Sequence, residues 1–189
     1  MEDHYFWKII DDSRPCNSER LLSPAHEDKF LLVLKDLDDE LLCAFSLRFD
    51  SFAKLLYNYR FCGAIATINS GFSDDDVLVA AGSAIMLGQD LFFSILRNPD
   101  DGLVNLECAA QLSSAELFCT AADSIWRERH GSESFISSSD DALCETPSGE
   151  EIEFSEEALR VLFPKLYEKY WDPSLVPEGV VWPYPKRDW

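Results

Sequence analysis

The stretch RFCGAIATINSGFSDDDVLVAAGSAIMLGQDLFFSILRNPDD, from Arg60 to Asp101, decides the fold. It joins an apolar segment, a turn, three consecutive aspartates and two further apolar segments, with no Lys or Arg between Arg60 and Arg97. A run so poor in charge on every face belongs at the centre of a helical core. Ser73 stands where an N-cap is needed, since its hydroxyl can accept from a free backbone N–H one turn in, and Asp74, Asp75 and Asp76 then occupy the first turn. All three carboxylates face the positive end of the helix dipole. The stretch specifies an architecture and names no reaction.

Toward the N-terminus, Leu41, Leu42, Phe45, Phe49, Phe52, Leu55 and Leu56 recur at steps of three and four from a start at Asp38 or Asp39. This predicts the clearest amphipathic helix of the chain, about five turns long. Ser23 followed by Pro24 signals a helix that carries Phe30, Leu31 and Leu34 and ends near Asp36. Phe6, Trp7, Ile9 and Ile10 mark one face of a short helix from Asp3 to Asp12. Within the central stretch, CGAIATIN closes at Asn69, Ser70 and Gly71, and the Ser73 helix runs to Gly88, with Gly82 suggesting a close helix crossing. LFFSILR follows, and NPDDG reads as its stop.

Toward the C-terminus, LVNLECAAQL is ambiguous. SSAELFCTAADSIWRERHG is a helix capped by Ser113 or Ser114 and ended by Gly131, with Leu117, Phe118, Ala121, Ile125 and Trp126 on its apolar stripe. From Ser132 to Glu153 the composition turns to Ser, Gly, Asp and Glu, the signature of a solvated, mobile loop. Ser155 caps a last helix, which Pro164 bends or restarts. The tail WDPSLVPEGVVWPYPKRDW is too rich in Pro for regular structure, and VVW pairs at most as an edge strand. Period-two alternation persists nowhere, so the expected fold is all-α: one mostly helical domain of about seven or eight helices, with an acidic loop and a Pro/Trp-rich tail.

Composition sets the outer bounds. At 189 residues, 47% hydrophobic and with 13 Phe and 5 Trp, the chain is long and apolar enough for one domain with one core. Against 16 Lys and Arg stand 35 Asp and Glu, a formal charge of -19. Such a surface repels phosphates and anionic headgroups, so neither nucleic acid nor membrane is expected as a partner, and basic proteins are. Cys16, Cys43, Cys62, Cys108, Cys119 and Cys144 are scattered, without a C-x-x-C pair. Cys43, Cys62 and Cys119 lie among apolar residues and are expected buried and reduced. The acidic N-terminus lacks the pattern of a signal peptide, which makes a cytoplasmic protein the default.

Phe6 and Trp7, Gly63 and Ala64, Ile68 and Asn69, Gly71, Ser73, Asp74 and Asp75, Gly88 and Gln89, and Asn98, Pro99 and Asp100 occur in an order that resembles family 4240 of the domains of unknown function, a bacterial group. The resemblance spans about residues 3 to 130, with FPKL at Phe163 as a later echo. It implies a helical core over 3–130; the residues themselves add the acidic loop at 132–154, a terminal helix at 155–171 and the tail at 172–189, all in one domain. Where the family has F-R-G-W, this chain has Ala81, Gly82, Ser83 and Ala84, so any role of that arginine and tryptophan is absent here. Members of similar kind occur beside toxin immunity and regulatory genes.

No residue reads as catalytic, and neither a cofactor nor a metal is expected. Successive helical residues point about 100° apart, so at most two of Asp74, Asp75 and Asp76 can converge on an ion, and the D-x-D-x-D-G calcium spacing is missing. His4, His26 and His130 fall in polar or helix-terminal settings, His130 where a cation complements the end of a helix. The acidic groups point instead to binding. Phe72, Asp74, Asp75 and Asp76 form a rigid acidic turn, and Asp140, Asp141, Glu150, Glu151 and Glu153 form a second, mobile acidic region. The mobile region should govern the rate of association with a basic partner and the rigid one its dissociation. The expected function is a non-enzymatic acidic binding protein, an immunity-type inhibitor that occludes a basic toxin or effector domain. A helical small-ligand or enzyme domain and a regulatory interaction module are the alternatives, and the oligomeric state is left open.

Overall fold

Local capping chemistry sets most of the helix boundaries. A computed structural model describes residues 1–15, 22–71, 73–106, 112, 116–131 and 146–176. Ten α-helices occur among them: α1 (Asp3–Asp12), α2 (Pro24–Lys35), α3 (Asp39–Leu56), α4 (Tyr59–Asn69), α5 (Asp74–Met86), α6 (Gln89–Arg97), α7 (Pro99–Leu103), α8 (Glu116–His130), α9 (Glu156–Leu162) and α10 (Pro164–Tyr170), before a 3-10 turn at Pro173–Leu175. No strand is present among the described residues, and one isolated parallel bridge joins Asn58 to Ser148. Ser23, Asp38, Asn58, Ser73 and Ser155 each accept a backbone N–H of the helix they precede. Each such cap is worth roughly 1 kcal/mol. The fold is all-α, as the sequence predicts.

The Arg60 to Asp101 stretch supplies the centre. In α4 every residue from Phe61 to Ile68 is buried, and α5 buries Val77 and then Ala80 through Met86. Helices that are apolar all round belong inside. Around them, α3 packs on α5 and α8, α2 on α8, α6 on α5, and α10 on α4 and α7. The expected contact between the Leu41–Leu56 helix and the Ser73 helix is therefore made. On α3 the buried stripe is Leu42, Phe45, Phe49, Phe52 and Leu56, whereas Leu55, expected on it, is 49% exposed.

A chain of rings ties α1 into this core. Phe6 stacks on Phe45 at 5.1 Å between centroids and lies 5.0 Å from Phe52, while Trp7 meets Phe52 at 4.9 Å and Phe92 at 5.4 Å. Phe30 bridges Phe45 and Phe118, so α1, α2, α3, α6 and α8 share one aromatic cluster. Burying one such ring stabilises the fold by roughly 1.5–3 kcal/mol.

Two glycines are required by what approaches them. A Cβ at Gly63 would lie 2.5 Å from Ile152 Cδ1 and 2.7 Å from Phe163 Cε2. Gly88 has φ +105°, and a Cβ there would lie 1.6 Å from the Arg14 guanidinium, which donates to Leu87 O at 2.9 Å. Gly63→Ala is expected to lower stability by roughly 1–3 kcal/mol through overpacking, read as a lower urea midpoint at unchanged slope.

The structure departs from the sequence reading in five places. NPDDG ends α6 at Arg97, as read, but also starts a further helix: Asn98 accepts from Asp100 N at 3.2 Å, Pro99 takes the first helical position, and α7 begins. Pro164 restarts the terminal helix as α10, as expected, and the second departure is in its cap, because the N-cap residue Phe163 has no side-chain oxygen to supply one. Asp100 supplies that cap from α7. Its carboxylate, in a residue only 5% exposed, accepts from Lys165 N at 3.1 Å and Leu166 N at 2.9 Å. Cys62 is buried, but Cys43 is only half-buried and Cys119 is exposed, because it faces out of α8 toward a cleft rather than into the core.

The fourth departure concerns histidine. His26 is fully buried, where its Nδ1 accepts from Leu22 N at 3.1 Å and its ring lies 5.0 Å from that of Phe118. His130 stands in the last turn of α8, as expected, and also pairs with Asp39 at 2.8 Å, beside Arg129, which donates to Asp39 and to the carbonyls of Lys35 and Leu37. The fifth lies in the acidic segment. Residues 132–145 lie outside the described residues, as do the tail from 177 onward, Cys16, Cys108 and Cys144, and the proposed caps Ser113 and Ser114. Residues 146–154 depart from a solvated loop. Ser148 exchanges backbone bonds with Tyr57 and Tyr59 at 3.1 and 3.0 Å, Ile152 packs on Gly63, and Phe154 is buried.

Candidate functional site

At the start of α5 the three aspartates divide their work. Asp76 closes a capping box, accepting from Ser73 N and Oγ at 2.7 Å each while Ser73 Oγ accepts from Asp76 N at 3.2 Å. Asp74 accepts from the Tyr57 hydroxyl at 3.2 Å. Burial of the phenol, then the Asp74 charge and its hydrogen bond, raise the Tyr57 pKa well above the usual value, so the hydroxyl stays a donor. Asp75 is exposed on the outer side of the turn. Cys62 lies near this pair, and burial followed by the Asp74 charge pushes its thiol up to about 12, which keeps it from acting as a thiolate nucleophile.

Tyr57 is also where the second acidic region arrives. Ser148 N donates to Tyr57 O, Tyr59 N donates to Ser148 O, and the strap from Ser148 leads directly into Glu150, Glu151 and Glu153, all exposed. The α3–α4 junction thus brings together two acidic groups more than seventy positions apart in sequence. No local signal announces Tyr57 as the link, because its two contacts come from α5 and from beyond α8. Phe72, Asp140 and Asp141 lie outside the described residues.

Each acidic group borders a cleft. One, of about 490 Å³, runs between α5 and α8 and is lined by Asn69, Asp75, Asp76, Glu116, Cys119 and Thr120, among others. The other, of about 360 Å³, follows the strap, with Glu150, Glu151 and Glu153 on one side and Arg60, Leu96 and Leu162 on its walls. Seven of the described cations pair with other carboxylates: Lys8 with Asp12, Arg14 with Asp11, Lys35 with Glu128, Arg48 with Asp3, Arg127 with Asp123, Arg129 with Asp39 and Lys165 with Asp101. Among the described residues, no ion pair reaches Asp74, Asp75, Asp76, Glu150, Glu151 or Glu153. Nor do three or more His, Cys, Asp and Glu side chains converge as a metal site would need.

The family described as protein of unknown function (DUF4240) matches residues 1–129, well over half of the chain. The chain belongs to this family. No curated protein and no solved structure matches it. Several positions that carry the DUF4240 resemblance have structural work here: Phe6 and Trp7 anchor α1, Gly63 and Gly88 admit close neighbours, and Asn98, Pro99 and Asp100 start one helix and cap another. Ala81, Gly82, Ser83 and Ala84, which stand in place of the F-R-G-W of the resemblance, are buried in α5, where Ser83 Oγ donates to Leu112 O at 3.0 Å. The matched region stops before FPKL, so the cap that Asp100 provides for α10 reaches outside it. No helix among the described residues is long and apolar enough to cross a membrane.

Proposed function

We propose that the protein is a non-enzymatic, cytoplasmic binding protein that captures a basic protein surface, in its most concrete form an immunity-type inhibitor that occludes a basic toxin or effector domain. The observation that carries this reading is the absence, among the described residues, of any ion pair to Asp74, Asp75, Asp76, Glu150, Glu151 or Glu153, in a chain of net charge -19. Opposite charge on a partner accelerates encounter and relieves the repulsion among these groups. The rigid turn at Asp74–Asp76 is held by a capping box and loses little freedom on docking. The reduced thiols of Cys43, Cys62 and Cys119 suit the cytoplasm.

The test is copurification from the native host, followed by reconstitution with the purified partner. A stoichiometric basic protein supports the reading. Combined Asp74→Asn, Asp75→Asn, Glu150→Gln, Glu151→Gln and Glu153→Gln should then slow association at low salt by roughly tenfold with unchanged circular dichroism, and an unchanged rate would sink it. A ligand-binding reading has one observation in its favour, a cleft of about 560 Å³ lined by Ala66, Phe154, Leu159, Trp171 and Val176. Its size suits a small organic molecule, and recovery of one in place of a protein would favour it.

A further inference from the structure

After a bend at Gly149, φ +89°, and Glu150, the strap that carries the second acidic group runs from Glu151 to Glu153 as an edge that no backbone of the described residues pairs. Ser148 exchanges two backbone bonds with the α3–α4 junction. Beyond it, among the described residues, no backbone N–H or carbonyl from Gly149 to Glu153 finds a hydrogen-bond partner in the protein. From Glu151 the side chains alternate: Ile152 turns in against Gly63 and Phe154 is buried, while Glu151 and Glu153 are exposed. One face packed on the core and one in solvent is the pattern of an edge strand lacking its neighbour. The adjoining cleft of about 360 Å³ gives that neighbour room, and three glutamates outweigh its one cationic wall residue, Arg60.

We propose that residues 151–153 receive an extended basic segment of the protein partner by strand addition. Main-chain bonds supply the affinity, and Lys or Arg side chains of the segment meet Glu151 and Glu153 on the solvent face, with Glu150 adding charge at the bend before them. A helical segment would satisfy its own backbone and leave the strap unpaired, and a nucleic acid strand would be repelled. The inference rests on the capture of a basic surface proposed above and narrows it to one mode of recognition.

A short peptide of alternating lysine and threonine, and the same peptide with every backbone amide N-methylated, carry equal charge and differ in the donors that strand pairing needs. Titrated into the full chain at low salt, the unmodified peptide should bind about tenfold more tightly and slow amide exchange across 151–153. Glu151→Pro, which removes a donor and blocks pairing, should weaken it about tenfold, whereas Glu151→Gln should do so about twofold. Equal binding of the two peptides overturns strand addition while leaving capture by charge standing, and so does normal binding by a folded Glu151→Pro variant. Absence of binding by either peptide overturns strand addition and capture of basic chemistry at this strap together.

Discussion

Asp100→Ala is expected to lower the free energy of unfolding by roughly 2–4 kcal/mol, the sum of a lost helix cap and of buried donors left without a partner. The Asp100 carboxylate accepts from Lys165 N and Leu166 N, the two first-turn amides of α10 that follow Pro164. Pro164 has no N–H to satisfy, and Phe163 before it offers no side-chain oxygen. The helix therefore depends on a cap from α7, more than sixty positions earlier in the chain. Asn98 and Pro99 hold that carboxylate in place by starting α7 one residue before it. Amide exchange at Lys165 and Leu166 should accelerate in the variant ahead of exchange in α4 and α5. Asp100→Asn keeps one acceptor oxygen and should recover about half of the loss. Equal stability of Asp100→Ala and the parent protein would mean that α10 is held by its packing on α4 alone.

Elements set by neighbouring residues were legible from sequence. Ser23 with Pro24, Asp38, Ser73 and Ser155 each cap a helix within three positions, so reading along the chain finds them. Asn98 with Pro99 is the same signal as Ser23 with Pro24, and α7 could have been found by it; the following Asp-Asp-Gly made the segment read as a stop. Asp100 was not legible as a cap, because nothing near it in sequence shows which amides it meets. Tyr57 as the link between the two acidic groups was hidden for the same reason. The turn at Asp74–Asp76 was legible down to its capping serine, while the division of labour among its carboxylates depends on Tyr57 and so on the tertiary fold. Ile152 and Phe154 are two apolar residues in a run of Ser, Gly, Asp and Glu, and composition outvoted them.

His26 was missed by the same route and gives the pH dependence with the largest expected effect. Its burial, with Arg14 and Lys29 adding to it, lowers its pKa from 6.5 to about 4 in the folded protein. Its neutral ring accepts the Leu22 N–H through Nδ1, at a residue with φ +56°, and leaves Nε2 3.4 Å from Ser13 Oγ. A proton on Nδ1 would remove that acceptor and place a cation among Phe118, Arg14 and Lys29. Between the two pKa values the unfolded chain holds the proton and the folded chain does not. The contribution is therefore complete above pH 6.5, falls as the pH drops toward 4 and levels off below it, reaching about 3 kcal/mol in all. Relief of the repulsion within a chain of charge -19 acts in the opposite direction on acidification, so the parent curve alone cannot isolate the histidine. His26→Gln shares every other titrating group and keeps an acceptor for Leu22. The difference in unfolding free energy between parent and variant, measured by urea denaturation from pH 7 to pH 4, should shrink across that interval. A difference that stays constant with pH would show that His26 takes up its proton without loss of the contacts that bury it.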